Sequence, residues 1–268
     1  MSTQVDKPEA DEIEESQAPL IEHLIELRAR LIRALIGFLI AFLVSFYFAN
    51  PIFNFLLTPY KWAIGDATHL KLIYTAPQEF FFTQLKIGMF GGLFLAFPLI
   101  AMQIYKFVAP GLYKHERAAF RPYLFATPVL FVVGASVVFF LVLPMALRFF
   151  ASFQQTAAEG QAAIELLPKV SEYLSLVMTL ILAFGVAFQL PIVLTLLGKI
   201  GVISADQLRK GRKYAIVGVV TIAAIFTPPD PFSQLGLALP MIGLYELSIW
   251  LVSMAEKSRE GNTDEEPA

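Results

Sequence analysis

Long blocks of apolar residues, separated by short polar stretches, dominate the chain. The six blocks are Leu31–Ala49, Ile87–Ile104, Tyr123–Leu147, Tyr173–Leu197, Tyr214–Phe226 and Leu235–Val252. Continuous runs of this kind predict transmembrane helices, since the strands of a membrane β-barrel would be about 10 residues long and would alternate in polarity. We therefore expect an all-α polytopic membrane protein with six transmembrane helices.

The last two blocks are predicted to be short. The first four have about 20 residues each, which is enough to cross a bilayer. The fifth has only 13 residues after Lys213, or about 20 Å of helix against a hydrocarbon core of about 30 Å. The sixth is interrupted by Glu246, eleven residues after Leu235. Either the bilayer thins beside these helices or they end inside a groove of the protein.

A charged amphipathic segment precedes the first block. One helical face carries Glu22, Glu26, Arg30 and Arg33, and the opposite face carries Leu20, Leu24, Leu27 and Leu31. Arg28 falls among the leucines, where an arginine at a membrane surface must snorkel, pair with an acid or meet an incoming polar group. The segment is therefore either a solvated lead-in whose arginines only set the membrane orientation, or a binding surface.

Composition places the chain among membrane proteins independently of the blocks. Of its 268 residues, 57% are hydrophobic and only 16% are charged. Its mean hydropathy of +0.65 is beyond that of a soluble domain of this length. The chain has no cysteine, which excludes disulfides, a thiol nucleophile and thiolate metal sites.

The distribution of basic residues predicts the orientation in the membrane. With the N-terminus inside, fifteen of the 20 lysine and arginine residues fall on the inner side, which is a clear positive-inside bias. Both termini are then cytoplasmic. Residues 1–18 and 255–268 are charged and lack aromatic residues, a composition typical of disorder. We expect two disordered tails around a membrane domain of residues 19–254.

Prolines inside the blocks predict bends, because a proline removes a backbone hydrogen bond of the helix. Four prolines lie within the second, third and fourth blocks: Pro98, Pro128, Pro144 and Pro191. Bends at these positions favour a curved wall of helices over a straight, tight bundle.

A few polar residues in or beside the blocks are candidates for function. Gln189 lies inside the fourth block, about 13 Å from its inner end, and a buried amide needs partners. We hypothesise that it faces the concave wall and binds a partner; the alternative is that it only ties neighbouring helices together. Three glutamates also have structural interpretations. Glu79 carries a charge that complements the helix dipole. Glu116 can form a surface ion pair, and Glu246 marks the end of a short helix.

Enzyme chemistry has little support. The histidines His23, His69 and His115 are scattered, and no His-Glu-x-x-His or Gly-x-Ser-x-Gly motif occurs. We expect no catalytic residue, no metal and no cofactor. A small-solute or ion transporter is the alternative, but it would need a continuous polar path through the spans. An intramembrane protease would need a nucleophile with a base, or paired aspartates, within the blocks.

Four motifs, in order along the chain, resemble the TatC family, the large membrane subunit of the twin-arginine protein translocase. They are HLIELRAR at His23–Arg30, FVAPGLYKHER at Phe107–Arg117, AFGVAFQLP at Ala183–Pro191 and TPPD at Thr227–Asp230. The resemblance extends over about Pro19–Trp250. It implies a glove-shaped fold of six spans in the bacterial cytoplasmic membrane, in contact with membrane lipid.

The resemblance implies a receptor for folded proteins whose signal peptides carry paired arginines. Glu26 and Glu116 match the acids that bind the two arginines, and a guanidinium prefers a bidentate carboxylate. Arg28 and Phe107 match other positions of the same signal-peptide site. The expected partners are these signal peptides and single-span TatA/TatB-type subunits, in oligomeric complexes and without nucleic acid.

Further positions are carried over from the same resemblance. Thr227 and Gln234 match a polar cluster that contacts the single-span subunits, and Pro59 and Asp230 match other positions that matter in the family. Gln189 departs from the pattern, because many relatives carry glutamate there, and an amide keeps hydrogen-bond capacity but cannot ionise.

Overall fold

A computed structural model describes residues 9–65, 71–108, 121–155, 164, 166–227 and 231–263. Within these ranges the chain forms ten α-helices and one π-helical turn. The helices are α1 (Glu9–Tyr47), α2 (Ala49–Leu56), α3 (Thr58–Ile64), α4 (Glu79–Val108), α5 (Arg121–Val137), α6 (Leu143–Ala151), α7 (Val170–Ala187), α8 (Leu190–Lys199), α9 (Ala205–Phe226) and α10 (Pro231–Thr263). The π turn, Val138–Val142, joins α5 to α6.

Five of the described helical stretches are long and apolar enough to cross a membrane. They are His23–Tyr47, Glu79–Phe107, Pro122–Ala151, Val170–Lys199 and Gln234–Lys257. The all-helical membrane architecture is confirmed, although six membrane-crossing helices were expected. The fifth block, Tyr214–Phe226, is the second half of α9. Its apolar sequence is too short to count as a span on its own, because the first half of α9 is basic.

The expectation of a short sixth helix is wrong. Helix α10 has 33 residues and passes through Glu246 without interruption. The reason is a partner on the neighbouring helix: Arg212 of α9 donates a hydrogen bond of 2.7 Å to the Glu246 carboxylate. Next to this pair, the Tyr245 hydroxyl donates to the Leu208 carbonyl at 2.8 Å. A carboxylate that is paired in this way need not end the helix.

Helices also extend into both segments that were predicted to be disordered tails. Helix α1 begins at Glu9 and α10 ends at Thr263. At the C-terminal end the reason is a long-range contact, since the Glu256 carboxylate accepts a hydrogen bond of 2.9 Å from the Ala205 amide at the start of α9.

The four prolines have two different effects. Pro144 follows the π turn directly, and Pro191 follows the break between α7 and α8. These are the irregularities expected where a proline removes a helical hydrogen bond. Pro98 and Pro128 lie inside helices that continue past them. The third and fourth spans are therefore each built from two helical pieces.

Helix α1 packs along α4 through glycines of α4. A Cβ atom at Gly92 would lie 2.7 Å from the Phe42 Cα, and one at Gly91 would lie 2.9 Å from the Ser45 Cβ. Only glycine allows so close an approach of two helix backbones. The contact fixes the position of α1, which is otherwise exposed along most of its length.

The core lies where α4, α5 and α7 meet. The Phe131 ring of α5 stacks on Phe97 of α4 with 3.8 Å between centroids. It also lies so close to α7 that a Cβ at Gly185 would be 2.5 Å from it. Val177 and Phe184 of α7 are fully buried beside it. This packing sets the spacing of the second, third and fourth spans.

Two loops at the same end of the spans are tied to each other. The Val170 amide donates to the Ile73 carbonyl at 2.9 Å, and the Ile73 amide donates to the Pro168 carbonyl at 3.2 Å. Beside this bridge, Glu79 at the start of α4 accepts a hydrogen bond of 2.6 Å from the Ser171 hydroxyl and one of 2.8 Å from the Thr75 amide. Glu79 therefore fastens the first loop to the start of α7.

We predict that Glu79→Ala loosens this end of the molecule without unfolding the spans. The Ile73 and Val170 amides should exchange with deuterium faster than in the wild type, because the carboxylate that holds Ser171 and Thr75 is gone. Hydrogen exchange measured by mass spectrometry would detect the change. Glu172→Ala is the matched control, since the Glu172 side chain is exposed and its one ion pair within the described residues is with Lys169, at 3.6 Å. Equal exchange in the two variants would contradict this role of Glu79.

Candidate functional site

The Glu26 carboxylate lies on α1, just before the apolar part of the helix, and is partly exposed. Arg30, one helical turn later, holds its Oε1 atom through both Nε, at 3.2 Å, and Nη2. The Oε2 atom is 3.9 Å from the His23 Nδ1, which is too far for a hydrogen bond. Oε1 is thus engaged, whereas Oε2 keeps its capacity to accept a hydrogen bond.

The three arginines of this segment are in different environments. Arg30 is largely buried, and its Nη1 atom lacks a hydrogen-bond partner among the described residues. Arg28 and Arg33 are exposed. Arg30 therefore pairs with Glu26, whereas Arg28 lies on the exposed surface of the helix.

The part of α1 that carries Glu26 is attached to the end of α4 by an aromatic contact. The His23 ring stacks on Phe107 with 4.3 Å between ring centroids and 20° between planes. Phe107 is the second-last residue of α4, so α4 ends close to the part of α1 that carries Glu26. Glu116 and Asp230 lie outside the described residues.

Gln189 lies in the break between α7 and α8, and its amide turns towards α5. The Nε2 atom donates to the Thr127 carbonyl at 3.1 Å and to the Gly185 carbonyl at 3.3 Å. Its Oε1 atom is buried and has no partner within the described part of the chain. The bond to Thr127 joins two spans of this chain, whereas the bond to Gly185 lies within the fourth span; the contact with Thr127 favours the alternative that Gln189 is a helix tie. An ionised glutamate here could donate neither bond.

Thr127 extends this contact to α4. Its hydroxyl donates to the Tyr123 carbonyl at 2.8 Å and lies 2.9 Å from the Tyr105 hydroxyl. Tyr105 is on the last turns of α4, close to Phe107. A short polar chain, Gln189–Thr127–Tyr105, therefore links the third and fourth spans to the end of α4, where Phe107 contacts His23.

The other predicted residues lie apart from Glu26. Thr227, at the end of α9, is buried, and its hydroxyl donates to the Ala223 carbonyl at 2.8 Å. Gln234, in the first turn of α10, is partly exposed, so these two lie at the facing ends of α9 and α10. Pro59 is buried at the start of α3, near the loops at the Glu79 end.

Two adjoining hollows follow one face of the spans. One, of about 370 Å³, lies between α1, α4 and α7, and the other, of about 560 Å³, lies between α7, α9 and α10. Both are lined by Thr179 and Leu182, so they form one continuous face. Leu190 lines this face but Gln189 does not. The hypothesis that Gln189 faces the concave wall and binds a partner stays a prediction.

Comparison with known proteins agrees with this architecture. The family of Sec-independent protein translocase proteins, TatC, matches residues 22–240. The chain belongs to the TatC family. A TatC from Magnetococcus marinus is 46% identical over 245 residues, which cover 91% of this chain and 88% of that protein. The Escherichia coli K12 TatC is 38% identical, with 89% of each chain covered.

Solved structures give the same result. A crystal structure described as the twin-arginine translocase receptor TatC superposes with a TM-score of 0.75 at 40% identity, covering 87% of this chain and 99% of that one. A second structure of the receptor, in a detergent, has a TM-score of 0.74 at 41% identity. The chain is accordingly a membrane component of Sec-independent protein translocation in bacteria.

Some of these contacts can be predicted from the sequence and others cannot. The Glu26–Arg30 pair follows from their spacing of four residues, which places both on one helical face. The Ser171 partner of Glu79 and the Thr127 partner of Gln189 are 92 and 62 residues away. No local sequence pattern predicts such contacts, because they depend on which helices become neighbours.

We predict that Gln189→Leu destabilises the protein, because leucine fills similar space but cannot donate to the Thr127 and Gly185 carbonyls. Loss of two buried hydrogen bonds should lower the free energy of unfolding by about 1–3 kcal/mol. Thermal unfolding in mild detergent would measure it. Ser136→Ala is the control, since the Ser136 hydroxyl donates to the Val132 carbonyl of its own helix and to no other helix among the described residues. A Gln189→Leu protein as stable as the control would refute the helix tie.

Proposed function

We propose that this chain is the receptor and scaffold subunit of a twin-arginine translocase. It binds signal peptides with paired arginines and assembles with single-span TatA/TatB-type subunits to export folded proteins. Membership of the TatC family supports the translocation role. The observation that carries the receptor role is the half-engaged Glu26 carboxylate beside the end of α4.

The recognition chemistry starts from the free side of Glu26. An arginine of the signal peptide approaches the Oε2 atom, while Arg30 keeps Oε1 and holds the carboxylate in one orientation. Charge-assisted hydrogen bonds of this kind are about twice as strong as neutral ones. Lysine is a poorer ligand, because an ammonium group cannot make the planar double contact of a guanidinium.

The second arginine is assigned to Glu116. Glu116 follows Phe107 by nine residues, and nine residues of extended chain span about 30 Å at most. Since the Phe107 ring stacks on His23, the loop starts beside Glu26 and Glu116 is within reach of the same peptide. Arg28, exposed on α1, lies next to this site and repels a misplaced basic group.

The positive-inside bias of the basic residues supports one membrane arrangement. Both termini lie in the cytoplasm, so Glu26 and the end of α4 are on the cytoplasmic side of the bacterial inner membrane. The Glu79 end is then the outer end. Thr227 and Gln234, at the facing ends of α9 and α10, contact the single-span subunits. The protein acts by recognition and has no enzymatic activity.

The receptor proposal predicts that Glu26→Ala and Glu116→Gln each weaken binding of a twin-arginine precursor while insertion of the protein is normal. Each change should lower affinity at least about tenfold, because a hydrogen bond to a charged group is lost. Photo-crosslinking of a precursor in membrane vesicles would measure binding. A twin-lysine signal should bind the wild type less well.

Glu172→Gln serves as the control, since it removes an exposed carboxylate on the side of the membrane opposite to Glu26. It should leave precursor crosslinking at the wild-type level. Unchanged crosslinking in both the Glu26 and the Glu116 variants would defeat the assignment of the site.

Lengthening the apolar half of α9 should impair export without blocking insertion. Five leucines added after Val220 lengthen the helix by about 7.5 Å and separate Arg212 from Glu246. The longer apolar segment matches the thickness of the bilayer better, but the Arg212–Glu246 contact with α10 is lost. Export of a folded precursor into the periplasm is the measurement. Wild-type export by the lengthened protein would show that the shortness of this segment is incidental.

A further inference from the structure

A separate apolar groove lies beside α4, between α1 and α5. Its volume is about 450 Å³. Helices α1, α4 and α5 form its walls, with Ser45, Gly91, Phe94 and Ser136 among the lining residues, and α2 covers one end with Phe55. Helix α1 packs against α4 here, which leaves a gap between α1 and α5.

The groove opens sideways from the protein. Leu95, Val132 and Phe140 line it and are 58%, 48% and 60% exposed. Leu95 belongs to the second span, and Val132 and Phe140 to the third. The surroundings of these residues in a membrane are hydrocarbon, so the mouth of the groove faces lipid tails and not water.

The volume of the groove fits one lipid chain. An apolar cavity of about 150 Å³ holds benzene, which corresponds to about 25 Å³ per carbon atom. On that scale a groove of this size holds an acyl chain of roughly 18 carbons. Leaving such a groove empty would forfeit dispersion contacts along all its walls.

The end covered by α2 carries groups typical of a membrane–water interface. The Phe55 ring stacks on Phe139 at 4.5 Å between centroids. Trp62 stacks on Phe140, at the mouth of the groove, at 5.7 Å and remains partly exposed. Lys61, one residue earlier, is exposed. Tryptophan and lysine together are the usual neighbours of a phospholipid headgroup.

We propose that this groove binds one acyl chain of a phospholipid of the leaflet on the α2 side, with the headgroup beside Trp62 and Lys61. The chain fills the gap between α1 and α5 and braces α1 from the side that α4 does not touch. The lipid is thus a specifically held component of the fold, distinct from the surrounding annulus. The inference does not depend on the signal-peptide site.

The test is native mass spectrometry of the protein released from vesicles of phosphatidylethanolamine and phosphatidylglycerol. Two variants fill the groove with a ring, Ser136→Phe from α5 and Leu95→Phe from α4. The control is Val133→Phe, because Val133 is 45% exposed on α5 but does not line the groove. Thermal unfolding checks that each variant is folded.

The wild type and Val133→Phe should retain one phospholipid per chain after delipidation. Both groove variants should retain it at least about tenfold less, the effect of losing the burial of about two methylene groups. Equal retention in all four proteins, or equal loss in the control, would overturn the proposal. So would a photo-crosslinker at position 136 that labels a partner protein in membranes and not lipid.

Discussion

The close contact between α1 and α4 is the interaction on which the rest of the structure depends. Gly91 and Gly92 let the backbone of α1 approach to distances that any side chain would prevent. In lipid there is little hydrophobic driving force between helices, so such packing has to come from close van der Waals contact. Together with the stacking of His23 on Phe107, this strip holds α1, whose surface is otherwise largely exposed, against α4.

Two consequences follow at opposite ends of the strip. Towards the start of α1, the helix brings His23 onto Phe107 and so places Glu26 beside the loop that follows α4. Towards the end of α1, Ser45 forms one wall of the apolar groove beneath α2. The receptor site and the lipid groove are therefore built by the same pair of helices, although they use different residues and different chemistry.

The sequence predicted those features that arise from local constraints. A bilayer requires long apolar helices, so the blocks could be located from composition alone. Glu246 shows where such reasoning fails: a charge in an apolar block was interpreted as the end of a helix, but Arg212, 34 residues earlier, neutralises it. The contacts of Gln189 and Glu79 could not be predicted either. Their partners lie on other helices, and the periodicity of a sequence does not show which helices become neighbours. The motifs of the family supplied the candidates for the site, and the geometry shows how Glu26 is held.

The receptor site depends on the packing of α1 against α4 far from it, and a single substitution tests this dependence. Gly92 lies fifteen residues before Phe107, or about 22 Å along α4. In Gly92→Val a Cβ would press on the Phe42 backbone and displace α1. Gly218→Val is the control, because a Cβ at Gly218 meets nothing within 4 Å. With both proteins inserted at the wild-type level, crosslinking to a twin-arginine precursor should be lost in Gly92→Val and retained in Gly218→Val. Wild-type crosslinking by Gly92→Val would contradict the account.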